Sequence, residues 1–153
     1  MNVTFIIYMT KKVKLLAIVE RGKGKRNFSV FCPENIENVG LVGFGGTSRE
    51  AIDDLKLSLQ EEKDEWAKQG REFPDVEFDL RFDVGSFFDY YPIDVTAFAR
   101  YIGMNASVLR QYVTGLRYPK EDTIQRIRKG IDMLSEDLGT NLMVEKQTVA
   151  YVE

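Results

Sequence analysis

The stretch AFARYIGMNASVLRQYVTGLRYP, Ala97 to Pro119, decides how the chain is read. Asp94, just ahead of it, is a capping side chain for a helix from Val95 to Tyr101, within which Ala99 is small enough for a neighbouring helix to come close. Gly103 follows four residues after Ala99, where a tight turn between crossing helices needs positive φ without a Cβ penalty. Asn105 caps the next helix, with Met104 and Leu109 disposed as a hydrophobic staple, and Gly115 supplies the residue that ends it. A longer helix then fits Asp122 to Leu138, with Ile124, Ile127, Ile131 and Leu134 as its inward stripe.

If Leu109 and Tyr112 face a core with Ala99 and Ile102, helical geometry leaves Ala106, Ser107, Arg110, Gln111 and Thr114 outside, next to the cap Asn105. Glutamine bonds bidentately to adenine, a serine hydroxyl serves as donor or acceptor, and alanine meets a thymine methyl, so this set suits a major groove. Arg117, Tyr118 and Lys120 stand just beyond, where the loop after a recognition helix meets phosphate. The plainer alternative is a structural helix pair with an ordinary polar face. The order of small residue, glycine, cap, buried aliphatic and terminal glycine is more specific than either helix alone, and matches a helix-turn-helix.

Upstream the periodicity changes. VKLLAIVE, Val13 to Glu20, has strand composition, and RGKGKR after it supplies hairpin glycines before Phe28, Val30 and Cys32 alternate as a second strand. VGLVGFGG, Val39 to Gly46, is a third strand whose glycines point to a bulge or a close backbone approach. Thr47 and Glu50 spell a capping box that opens a helix with Ala51, Ile52, Leu55, Leu59 and Trp66 on one stripe, and Gly70 is placed to stop it. Val76, Phe78, Leu80, Phe82 and Val84 then alternate with charged residues as a strand with one wet face. Gly85 and Ser86 mark the end of this unit, and FFDYYP, Phe87 to Pro92, reads as an aromatic helical turn capped by Ser86 that packs between units.

The expected architecture is α+β: a small antiparallel sheet with one packed helix, followed by an all-α helix-turn-helix unit. The expected divisions are 11–85, 86–138 and a tail at 139–153, in which Thr148 to Val152 could form a further strand. Met9, followed by TKKVK, is an alternative start to Met1.

Composition narrows the chemistry. Histidine is absent among the 153 residues, which removes the commonest acid-base side chain and zinc ligand, so no catalytic residue, metal or cofactor is expected. A single cysteine, Cys32, forms no internal disulfide and suits a reducing, cytoplasmic setting; it reads as a buried small hydrophobe. The apolar run VTFIIYM is too short for a signal core, and no membrane span is expected. The net charge of −3 conceals sorting: Lys11 to Arg26 has seven bases against one acid, Glu50 to Ile93 five against thirteen, and Asp94 to Ile131 seven against three.

Ala97 to Pro119 resembles the helix-turn-helix of phage-repressor and XRE-like regulators. Preceded by a sheet-and-helix unit ending in FDVGSFFDYYP, the chain from Val13 to Leu138 resembles a HicB-type antitoxin with an appended DNA-binding domain. CPENIENVGLVGFGGTSREA stands where that family has a compact Pro-Gly turn, keeping the threonine and the Glu-Ala helix start. The resemblance implies a partial RNase H-like fold in the first unit, silencing of a small HicA-like messenger-RNA-cleaving toxin, and repression of its own operon through operator DNA.

A dimer or higher homo-oligomer is the geometric expectation, since two such helices about 34 Å apart are needed to read two half-sites. The acidic residues Asp54, Glu61 and Glu62 are candidates to cover a basic toxin surface, against the alternative of a solvated helix face. A stand-alone regulator, whose first unit binds a ligand or dimerises, is the competing class. A nuclease is disfavoured because Asp79 and Asp83 lie two pleats apart and only Glu20 is acidic in the first strand. GKGKR and GFGG lack phosphate-loop spacing and read as turns.

Overall fold

The computed structural model describes residues 12–22, 27–140 and 143. The readings for the first eight residues, for the GKGKR turn beyond Gly22 and for a strand at Thr148 to Val152 lie outside them.

Strand β1 (Lys12–Arg21) pairs antiparallel with β2 (Phe28–Phe31), which pairs antiparallel with β3 (Val42–Gly45). Helix α1 (Ser48–Lys68) then carries the chain across one face to β4 (Asp75–Phe82), which lies parallel to β1 from Lys12↔Asp75 to Val19↔Phe82. The order is β3-β2-β1-β4, so the sheet is mixed, and the antiparallel expectation is corrected. The cause is α1: a helical crossover carries the chain back along the sheet to the end at which β3 began, so β4 runs in the direction of β3 and hence of β1.

Beneath α1, Leu15, Ala17 and Val19 of β1 and Phe28 and Val30 of β2 meet Ala51, Ile52, Leu55 and Leu59 in one buried core. Gly43 and Gly45 are what let α1 settle on β3. A Cβ on Gly43 would overlap the Ala51 carbonyl, and one on Gly45 would lie 2.6 Å from the Ala51 nitrogen. The glycines that weaken this segment as a strand are therefore the close approach itself. The strand is shorter than Val39 to Gly46 because Ile36 and Val39 bridge across a turn in which Glu37 and Asn38 take φ of 49° and 65°.

Both ends of α1 follow local chemistry. The Glu50 amide donates to the Thr47 hydroxyl at 3.1 Å, and the Glu50 carboxylate accepts from the Gly46 amide at 2.8 Å. At the other end Gly70 takes φ of +70°, and the amides of Gly70 and Arg71 donate to Ala67 and Trp66 at 3.0 and 2.9 Å.

Helix α2 (Val84–Tyr90) corrects the expected turn. Its cap is Asp83, whose carboxylate accepts from the Ser86 amide at 2.8 Å, while Ser86 is buried inside the helix and donates its hydroxyl to the Val19 carbonyl at 2.8 Å. A carboxylate three residues ahead outcompetes the serine as cap. Gly85 and Ser86 are thus within a helix that crosses position 85/86. Phe88 of α2 enters the second core, 5.4 Å from Phe98, whereas Tyr90 packs against the first.

The remaining helices are α3 (Val95–Tyr101), α4 (Ala106–Val113) and α5 (Glu121–Thr140). Phe88, Phe98, Ala99, Leu109 and Ile127 form their buried core, with Ile131 and Leu134 half-buried around it. Ile124 is 37% exposed and belongs to a groove wall, not to the inward stripe, a further correction. That groove, of about 500 Å³, separates Leu80 and Phe82 from Ile124, Ile127 and Ile131. Among the described residues no helix is long and apolar enough to cross a membrane.

Candidate nucleic-acid interface

Helices α3 and α4 are joined by a turn that three side chains fix. Asp94 caps α3 by accepting from the Ala97 amide at 2.6 Å, and Asn105 caps α4 by accepting from the Val108 amide at 3.2 Å. Gly103 between them takes φ of +68°, with the Gly103 and Met104 amides donating to Arg100 and Ala99 at 3.2 and 2.8 Å. Arg126 of α5 reaches back to this turn, where its guanidinium donates to the carbonyls of Ile102 at 3.1 Å and Gly103 at 2.7 Å. The turn that ends α3 is thus also held from α5.

Leu109 is 0% exposed and anchors the inner flank of α4, with Tyr112 and Val113 half-buried beside it. Ser107, Arg110 and Thr114 lie on the exposed outer flank, and Gln111 is half-buried. Ala106 departs from the expectation: it is half-buried and packs against the second core, because it stands one helical turn before Leu109 and shares its flank. A thymine methyl contact from Ala106 is therefore not offered by this arrangement.

Arg110 is held in place, its guanidinium donating to the Thr96 hydroxyl of α3 at 2.8 Å. Gln111 and Arg117 are coupled twice. The Arg117 guanidinium lies 3.4 Å from the Gln111 amide oxygen, and the Arg117 main-chain amide donates to the Gln111 carbonyl at 3.1 Å. The same guanidinium sits 5.9 Å from the Tyr112 ring. A bidentate contact from Gln111 to a base requires the longer bond to open. Gly115 takes φ of +76° and turns the chain so that Arg117, Tyr118 and Lys120 are all exposed beyond the end of α4. The structure thus brings Ser107, Arg110, Gln111, Thr114 and Arg117 together on one helix and its exit loop, with Asn105 committed to the cap.

Sequence reasoning did not single out Thr96, Arg126 or Arg21. Thr96 and Arg126 hold α4 and its turn from elements 14 and 23 residues away, spacings that carry no local signal. Tyr101 adds a third tie, donating its hydroxyl to Asp137 of α5 at 2.9 Å, a bond that raises the phenol's pKa.

The carboxylates considered for a basic protein partner lie elsewhere, on α1. Asp54 is half-buried and accepts from the Phe44 amide at 2.8 Å, Glu62 is half-buried and Glu61 exposed. Of the nuclease candidates, Asp79 pairs with Arg81 at 3.1 Å, and Asp83 accepts from the amides of Ser86 and Arg21. Among the described residues no three histidine, cysteine or carboxylate side chains gather where they could hold a metal ion.

Comparison with protein-family models, with curated proteins and with solved structures finds no match for this chain.

Proposed function

We propose that the protein is a cytoplasmic DNA-binding antitoxin: a dimer whose α3–α4 pair represses its own operon and whose first unit neutralises a small HicA-like messenger-RNA-cleaving toxin. The observation that carries the DNA half is the division of α4, with Leu109 fully buried on one flank, Ser107, Arg110 and Thr114 exposed on the other, and Gln111 half-buried beside them. Helix α3 packs against α4 through Phe98, Ala99 and Leu109, as the first helix of such a motif would, and Arg117, Tyr118 and Lys120 are exposed on the loop that would meet phosphate. The local excess of seven bases over three acids from Asp94 to Ile131 supports the same partner.

The toxin half draws on the sequence resemblance, on an order of three strands, helix and strand that agrees with the partial RNase H-like fold the resemblance implies, and on exposed Glu61 and half-buried Glu62 of α1. Asp54 is partly committed elsewhere, since its carboxylate accepts from the Phe44 amide at the β3 edge.

The test is co-expression with the product of the adjacent gene, followed by pull-down and a mobility-shift assay on the DNA upstream. Capture of a small basic protein together with a specific shift supports the full reading. A shift without capture leaves a stand-alone regulator, and neither result sustains the proposal.

A further inference from the structure

The groove of about 500 Å³ between the two cores has the size that holds a small molecule, and apolar side chains wall it on both sides. Leu80 and Phe82 of β4, Phe87 of α2 and Tyr91 just beyond it form one wall, which Ile124 and Ile131 of α5 face. The three rings of the first wall hold one another in place. Phe87 and Tyr91 lie 4.8 Å apart, and Phe82 stands 5.8 Å from Tyr91 and 6.3 Å from Phe87. Tyr91 and Ile124 are exposed, one on each side of the opening, so burying them under a ligand removes apolar surface from water. A flat aromatic group is the shape that meets rings on one side and isoleucines on the other.

Four charged residues line the same groove, and two of them are already committed. Arg81 pairs with Asp79 at 3.1 Å, and the Asp83 carboxylate accepts from the amides of Ser86 and Arg21 at 2.8 and 3.1 Å. Arg128 and Asp132 of α5 differ: both are exposed, and neither has an ion-pair or hydrogen-bond partner among the described residues. They stand four residues apart, which sets them on one face of the helix with about 5–6 Å between Cβ atoms. One cation and one anion at that separation, at the rim of an apolar trough, match a head group that carries both charges. We propose that the groove binds a free α-amino acid with a large aromatic side chain. Its carboxylate accepts from the Arg128 guanidinium, its ammonium donates to the Asp132 carboxylate, and its ring enters between Tyr91 and Ile124. A simple carboxylic acid or a simple amine would meet one of the two charges and leave the other unmatched. The site lies apart from the outer flank of α4, and the inference rests on neither the DNA nor the toxin reading.

The experiment is an NMR titration of the full chain with L-tryptophan, with indole-3-propionate, which lacks the ammonium, and with tryptamine, which lacks the carboxylate. L-tryptophan is expected to shift the Phe82, Tyr91 and Ile124 amides with a dissociation constant of about 0.1–1 mM, and each analogue to bind about five- to tenfold more weakly. Arg128→Gln should weaken L-tryptophan about five- to tenfold and leave tryptamine unchanged, whereas Asp132→Asn should weaken L-tryptophan and leave indole-3-propionate unchanged. Loss of folding would weaken every ligand alike and cannot produce that crossed pattern. No saturation by L-tryptophan up to about 10 mM, equal affinity for the three ligands, shifts that avoid the groove, or variants that fold but leave L-tryptophan binding intact would each overturn the proposal.

Discussion

The guanidinium of Arg21 donates from Nη1 to the main-chain carbonyl of Val113 across 3.0 Å, so that the last residue of β1 holds the last residue of α4. The main-chain amide of the same arginine donates to Asp83, the cap of α2, at 3.1 Å, and its ring neighbour is Phe28, 5.3 Å from the guanidinium carbon. Its Nε is buried without a bonding partner. One residue, through its main-chain amide and its side chain, thereby joins the sheet, the connecting helix and the proposed reading helix.

Arg21→Met removes the bond to Val113 while retaining much of the apolar stem. We expect a loss of about 1–3 kcal/mol in urea unfolding, because the Val113 carbonyl is left without its charged donor. DNA affinity should fall on every sequence tested, since α4 loses its anchor and not its reading residues. Unchanged stability would mean that the bond contributes nothing net.

Gln111→Ala should weaken binding to the upstream DNA by roughly 1–3 kcal/mol and leave random DNA nearly unaffected. Arg117→Ala should weaken both and flatten the dependence of affinity on salt, with an added loss of specificity because Arg117 also positions Gln111. Equal losses on both DNAs for Gln111→Ala would remove it as a base reader.

Gly130 is the contact point of α5 with α3. A Cβ there would overlap the Ile102 side chain and lie 3.2 Å from the Phe98 ring. Gly130→Ala is expected to cost about 1–3 kcal/mol and to lower Tm by roughly 2–10 °C in a calorimetric scan. An unchanged Tm would show that α5 shifts freely.

Burial raises the Cys32 thiol from 9.0 to about 11. The folded chain therefore keeps its proton where the unfolded chain loses it, and the stability this provides is complete below pH 9 and lost as pH rises toward 11. Native protein at pH 8 should resist iodoacetamide, and Cys32→Ala should reduce the fall in stability between pH 9 and 11. Rapid native alkylation would contradict the burial.

Much of the second unit was legible because its boundaries are written in single residues. Asp94, Gly103, Asn105 and Gly115 each perform a local task, and α3 begins and ends where they require. Interior facing was less legible. Ala106 shares the flank of Leu109 as closely as that of Arg110, and Ile124 satisfies the same period as Ile127 yet lies on a groove wall, so period alone does not separate inner from outer residues. The direction of β4 was missed for a similar reason: alternation with one wet face suits an antiparallel strand, while the parallel pairing follows from where the 21-residue α1 returns the chain. Arg21, Thr96 and Arg126 carried no signal at all, since each acts across a distance in sequence that no periodicity spans.

The most direct test of the account is a competition titration at about 0.15 M salt, comparing the full-length protein's affinity for the DNA upstream of its own gene with its affinity for random duplex. The expected result is a preference of at least about 10³-fold for the upstream DNA. Equal affinity for the two duplexes would contradict a reading role for the outer flank of α4.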